Sequence, residues 1–223
     1  MAAAVKDERV LHLKTQDDML AVLRSKGRLL KSFKKGDTIH VWNRMEKNYS
    51  YTLEEAPGKN FPADFKPWAT PAEMLRMGVF EGKYLNDCLL EFPAEWFLDA
   101  IAADKLRPTE PSVEINYTRA DSRLPLSEWK RKGWVASGAD RGTHHPGILA
   151  DASQNPDERG WFQWYCRYWM GRRLPELDAV QIGRWRAFKR HAGGVKANCS
   201  PGDMSCRPRQ RQALLQWAWN PRV

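Results

Sequence analysis

Between Gly160 and Gly171 the chain reads WFQWYCRYWM, six aromatic residues in ten. At 100° per residue Trp161, Trp164, Tyr165, Tyr168 and Trp169 fill one broad helical face, and only Gln163, Arg167 and Met170 point away. A helix apolar nearly all round is a buried helix. The stretch from about Glu158 to Arg172 therefore reads as a core element, its aromatics packed inside.

The flanking chain divides at Glu55 to Trp68, EAPGKNFPADFKPW, where three Pro and one Gly interrupt both helical and strand periodicity. Before it, Val10 to Leu13 is strand-like, Asp17 to Leu23 helical, and Thr38 to Trp42 and Tyr49 to Leu53 are β-rich runs that form a hairpin across a polar loop. After it, Thr70-Pro71-Ala72-Glu73 opens a helix ending near Met77: Thr70 serves as N-cap, Pro71 takes the first helical position, and Glu73 reaches back. Further helices are expected over Glu95 to Asp104, Leu126 to Lys132, Glu176 to His191 (stopped by Gly193-Gly194) and from near Ser205 to Trp219. Glu110 to Thr118 has strand character, and 137–156 is a long polar loop. The expected fold is α+β: a small antiparallel sheet with one helix in 1–55, an extended connection over 56–69, and a mainly helical region from 70 to 223.

Charge is unevenly spread. Residues 159–223 hold 13 Lys or Arg against Glu176, Asp178 and Asp203, a balance of +10; the remaining 23 basic and 24 acidic residues give 1–158 a balance of −1. Six of the eleven Trp fall in that same basic third. Positive charge and stacking surface in one region favour an acidic partner, of which nucleic acid, DNA or RNA, is the commonest kind. Compartment is read from the same residues. The start has no apolar run of signal-peptide length, and no stretch approaches the ~20 apolar residues of a membrane span. The expectation is an intracellular protein, cytoplasmic or nuclear, without a membrane partner, its four Cys kept as thiols.

Within the basic third, Gln181 and Arg184 fall inside the apolar stripe formed by Leu177, Val180, Trp185 and Phe188, as does His191. A charge at a core-facing position is costly unless paired, so Arg184 either joins an internal ion-pair network, with Asp178 or an N-terminal carboxylate, or presents its donors to a phosphate. The run Cys206-Arg207-Pro208-Arg209-Gln210-Arg211-Gln212 lies at the expected start of the last helix, where backbone N–H groups and the macrodipole favour an anion. Arg172 and Arg173 close the aromatic helix. The expected phosphate-binding set is thus Arg172, Arg173, Gln181, Arg184, Arg207, Arg209, Gln210 and Arg211.

Catalytic and metal signals are sparse. His191, Cys199 and Cys206 are spaced H-x7-C-x6-C, unlike a closed zinc site, so no metal is expected. His144-His145 reads as a loop pair. G-x-S-x-G, P-loop, G-x-G-x-x-G and H-E-x-x-H motifs are missing, and no cofactor is expected. Asp87 in Asn86-Asp87-Cys88 is either a general base or metal ligand or a turn residue, and Asp140, Asp151 and Asp157 have no diagnostic spacing.

From Gly58-Lys59-Asn60-Phe61 onward the chain resembles a group of proteins of unassigned activity. Thr70 to Met77, Gly78-Val79-Phe80-Glu81-Gly82-Lys83-Tyr84, RGWFQWYCRYWMGRR (Arg159 to Arg173) and CRPRQRQALLQW (Cys206 to Trp217) carry the resemblance, which implies no activity. The expected function rests on the residues themselves: a nucleic-acid-binding protein whose Arg- and Trp-rich helices hold the phosphate backbone. The alternatives are an enzyme acting on nucleic acid or a phosphorylated small molecule, and a scaffold for an acidic protein.

Overall fold

A computed structural model describes residues 6–136 and 147–223. It is α+β, with one two-stranded antiparallel sheet and a mostly helical remainder. The helices are α1 (Gln16–Lys26), α2 (Pro71–Arg76), α3 (Ala94–Ala102), α4 (Leu126–Arg131), α5 (Trp161–Met170), α6 (Pro175–Ala187), α7 (Lys189–Asn198) and α8 (Pro208–Gln216). Strand β1 (Thr38–His40) pairs with β2 (Ser50–Thr52), Ile39 opposite Tyr51. Both of those residues are buried while their neighbours are exposed, the alternation a one-sided sheet requires.

Local chemistry accounts for the helix starts. At α2 Thr70 Oγ1 accepts from the Glu73 N–H at 3.3 Å and the Glu73 carboxylate accepts from the Thr70 N–H at 2.8 Å. Thr15 and Asp18 repeat this reciprocal cap at α1 with the same spacing of three. Helix α5 ends at Gly171, whose φ of 113° suits glycine alone. A Cβ at Gly171 would overlap the Glu55 carbonyl, and the Gly171 carbonyl accepts from the N–H groups of Glu54 and Glu55 at 2.9 and 3.1 Å. The Pro-rich connection is thereby tied to the end of the aromatic helix. One apolar cluster takes residues from Val10 to Ala218, drawing on both sides of that connection.

Three expectations of secondary structure are corrected. Glu8–Leu11 and Val113–Ile115 form short 3-10 turns where strands were expected over Val10 to Leu13 and Glu110 to Thr118. Neither stretch has a neighbouring strand to pair with, and β-propensity expresses itself only in a ladder. Gly193-Gly194 does not stop the chain's helical path: α7 runs through both. A Cβ at Gly194 would meet Gln210 Nε2 at 3.1 Å, so the small residue lets α7 lie close against the start of α8.

Candidate functional site

The polar side of α5 faces a buried cluster of charge. Arg167, fully enclosed, directs Nε to Glu91 at 2.6 Å, Nη1 to Asp157 at 2.9 Å and Nη2 to Glu46 at 2.9 Å. Arg172 holds Asp157 at 2.5 and 2.8 Å and donates to the Tyr49 hydroxyl at 3.2 Å. Arg159 meets Asp87 at 3.0 Å, and Gln163 donates to Glu46 at 2.6 Å. Gln163 and Arg167 do point away from the aromatic face, but toward acids rather than water. Burial pushes the Asp157 carboxyl up, and the guanidiniums of Arg172 and Arg167 more than offset this, leaving it below the usual carboxylate range. For Glu91 burial prevails over Arg167, and its pKa is raised. Three Arg from the basic third thus face four acids from the first 158 residues, and part of the charge asymmetry is spent inside the fold.

The expected phosphate ligands separate accordingly. Arg172 is enclosed with Asp157, so its charge is matched internally. Arg211 is also fully buried, donating to the carbonyls of Cys206, Pro221 and Val223 at 2.8, 2.6 and 2.9 Å. Arg173 caps α5, donating to the carbonyls of Tyr168 and Arg172 and, across the fold, to that of Lys59. Gln181 is enclosed and accepts from Arg184. Gln210 donates to the His191 carbonyl at 2.9 Å and accepts from Arg207 at 3.1 Å. Arg207 and Arg209 remain exposed, Arg209 with Asp121 3.5 Å away. Asp87 is 1% exposed and its Oδ2 accepts from Arg159 and from the Arg44 N–H, which leaves a base no route to a substrate.

Cys199 and Cys206 form a disulfide, correcting the expectation of separate thiols; it joins the end of α7 to the residue before the α8 cap. Cys88 and Cys166 are free and buried. Among the described residues no group of three or more His, Cys, Asp and Glu is arranged to hold a metal. Asp151 accepts from Ser153 and Gln154 within its own turn. Asp140, His144 and His145 lie outside the described residues.

Beside the buried cluster, on the other side of α5, lies a cleft of about 660 Å³ between α4, α5, α6, the start of α7 and α8. Trp129, Trp134, Phe162, Trp161, Trp217 and Phe188 supply its rings. Trp217 is sandwiched between Trp161 (ring centres 4.8 Å apart) and Phe188 (4.9 Å), and Phe188 in turn stacks on His191 at 4.3 Å. Arg184 projects into this wall with its guanidinium centre 5.2 Å from the Trp217 ring. The only acceptor it has among the described residues is the neutral Gln181 Oε1, at 2.8 Å. Asp178, expected as its partner, instead accepts from Trp164 Nε1 and the Leu174 N–H, both at 2.8 Å. Burial pulls the Arg184 pKa down to about 10, which still leaves it charged at neutral pH. Burial and then Arg190 lower the pKa of His191.

Comparison with protein-family models, curated proteins and solved structures finds no match. No helix among the described residues is long and apolar enough to cross a membrane. Sequence reading identified Arg184 through its place in an apolar stripe. It missed the aromatic cleft in front of it, whose walls come from five separate stretches of chain.

Proposed function

We propose that the protein binds nucleic acid through the outer surface of α7 and the turn into α8. The observation that carries this reading is a set of exposed cations, Lys189, Arg190, Lys196 and Arg207, with no carboxylate partner among the described residues. Arg186 and Arg209, by contrast, lie 2.5 and 3.5 Å from Asp64 and Asp121. On a helical wheel Lys189 and Lys196 share a face with Gly193, where even a Cβ would meet nothing within 4 Å, so a phosphate backbone can approach closely. The cations hold phosphates, which fixes position without reading sequence. A cytoplasmic or nuclear location belongs to the same proposal; there the Cys199–Cys206 bond persists only if its potential lies below that of the thiol pool.

Fluorescence anisotropy with labelled single-stranded and duplex oligonucleotides, over a series of salt concentrations, tests the proposal. Lys189→Ala with Lys196→Ala should weaken binding and lower the slope of log affinity against log salt by about 1.4 for a single strand, two contacts at ~0.7 each. Unchanged affinity and slope in that double variant would refute it.

A further inference from the structure

Beyond that reading, we propose that the Arg184 cleft is a binding site for a small planar aromatic anion, its ring packed against the tryptophans and its carboxylate or phosphate on Arg184. Each of the other guanidiniums drawn into the interior has its compensation within the fold. Arg159, Arg167 and Arg172 have carboxylates, and Arg211 has three carbonyls. Arg184 has one neutral acceptor for a group with five N–H donors. A cation held this way against an apolar wall is costly unless an anion joins it, so the missing partner is supplied from outside.

The cleft sets the rest of the ligand. At about 660 Å³ it falls within the range of small-molecule sites. Trp161, Trp217 and Phe188 are already stacked on one another and so turn ring edges to the cleft, while Trp129 and Trp134 lie outside that stack; a flat ring packs edge-to-face or offset against such a wall. Polar groups are few and converge: Ser122 donates to Gln216 Oε1, which leaves the Gln216 amide N–H group as a second donor beside Arg184. Arg190 also lines the cleft, from its exposed side, and His191 is held toward its neutral form, so Arg184 is the inner cation that an anionic group meets. The same chemistry belongs to a free aromatic carboxylate, to a mononucleotide and to the 5′-terminal nucleotide of a strand.

The test uses 1-anilinonaphthalene-8-sulfonate, an aromatic anion that brightens on burial, beside N-phenyl-1-naphthylamine, the same rings without the charge. The anion should bind saturably at one site per chain. Arg184→Met should weaken it by about tenfold to a hundredfold, the range for a hydrogen bond to a charged group, and leave the neutral probe unaffected; Trp217→Ala should weaken both. Equal binding of the anion by wild type and Arg184→Met, or no saturable site, overturns the proposal. Thermal melting of each variant guards against dye binding to an unfolded chain, and Arg184→Gln replaces Arg184→Met should the latter not fold. Displacement of the dye by 2-naphthoate or adenosine 5′-monophosphate at lower concentration than by a 5′-phosphorylated oligonucleotide assigns a free ligand; the reverse order assigns a strand end; no displacement by any of them counts against the site. Arg190 borders both surfaces, but the nucleic-acid test changes Lys189 and Lys196, which do not line the cleft, so the two can fail separately.

Discussion

Two guanidiniums on consecutive helices stand in opposite settings, one enclosed and the other half-buried at a cleft. Arg167 on α5 meets Glu46, Glu91 and Asp157 within 2.9 Å, while Arg184 on α6 meets no carboxylate among the described residues. Matched charge in the interior is part of the fold, and it holds together segments far apart in sequence. Unmatched charge facing a cleft contributes nothing to the fold that an apolar side chain would not, and its use lies in what it binds.

The largest test of that contrast is Arg167→Ala. It strands the buried Glu46 and Glu91 and leaves Asp157 to Arg172 alone, and urea denaturation should show a loss of about 3–5 kcal/mol. Should Arg184→Met cost as much, the distinction between the two sites would collapse. Next comes the disulfide, which holds α7 against α8 beside the cleft. Cys199→Ser should lower stability by roughly 2 kcal/mol, the chain-entropy value for so short a loop, and a denaturation midpoint indifferent to both this substitution and reductant would contradict it.

Acid titration probes the Arg167 side alone. Asp157 has a depressed folded pKa, so its contribution is complete above the ordinary Asp value of about 4 and is lost as pH falls through the lower folded value. Glu91 has the opposite sign: its folded pKa is raised, so its contribution is present below the ordinary Glu value of about 4.3 and fades as pH rises through the folded value. On the way down to about pH 4 only the Glu91 contribution changes, and it grows; below that value the loss from Asp157 takes over. The melting temperature should therefore rise slightly from neutrality to about pH 4 and then fall. Asp157→Asn, destabilised throughout, should show a shallower fall; an identical acid limb would remove Asp157 from the account. The smallest effect is expected at Arg184→Met, within about 1 kcal/mol of wild type or slightly stabilising, because a desolvated cation is removed and no ion pair is broken.

Elements specified by contacts within one turn were legible in the chain. The Thr70 cap and the buried aromatic helix follow from neighbours a few residues apart, and the hairpin from two β-rich runs joined by one polar loop, while its register, Ile39 opposite Tyr51, came from the structure. The exceptions depended on distant chain. Val10 to Leu13 had strand composition but no partner strand, and Gly193-Gly194 had the composition of a stop but served a close helix contact with Gln210. Arg172 and Arg211 had the appearance of surface cations, and only the arrival of Asp157 and of the Pro221 and Val223 carbonyls enclosed them.

From the sequence alone came the helix faces, the placing of Arg184 within an apolar stripe, and the −1 and +10 balance of the two parts. That imbalance already required charge to be matched across the chain or left at its surface. Which charges are matched was decided by the tertiary structure, because Arg167 finds Glu91 and Glu46 at separations of 76 and 121 residues. Helical periodicity acts along the backbone and is readable in order. Coulomb attraction and desolvation act through space, and so the difference between Arg167 and Arg184 exists only once the chain has folded.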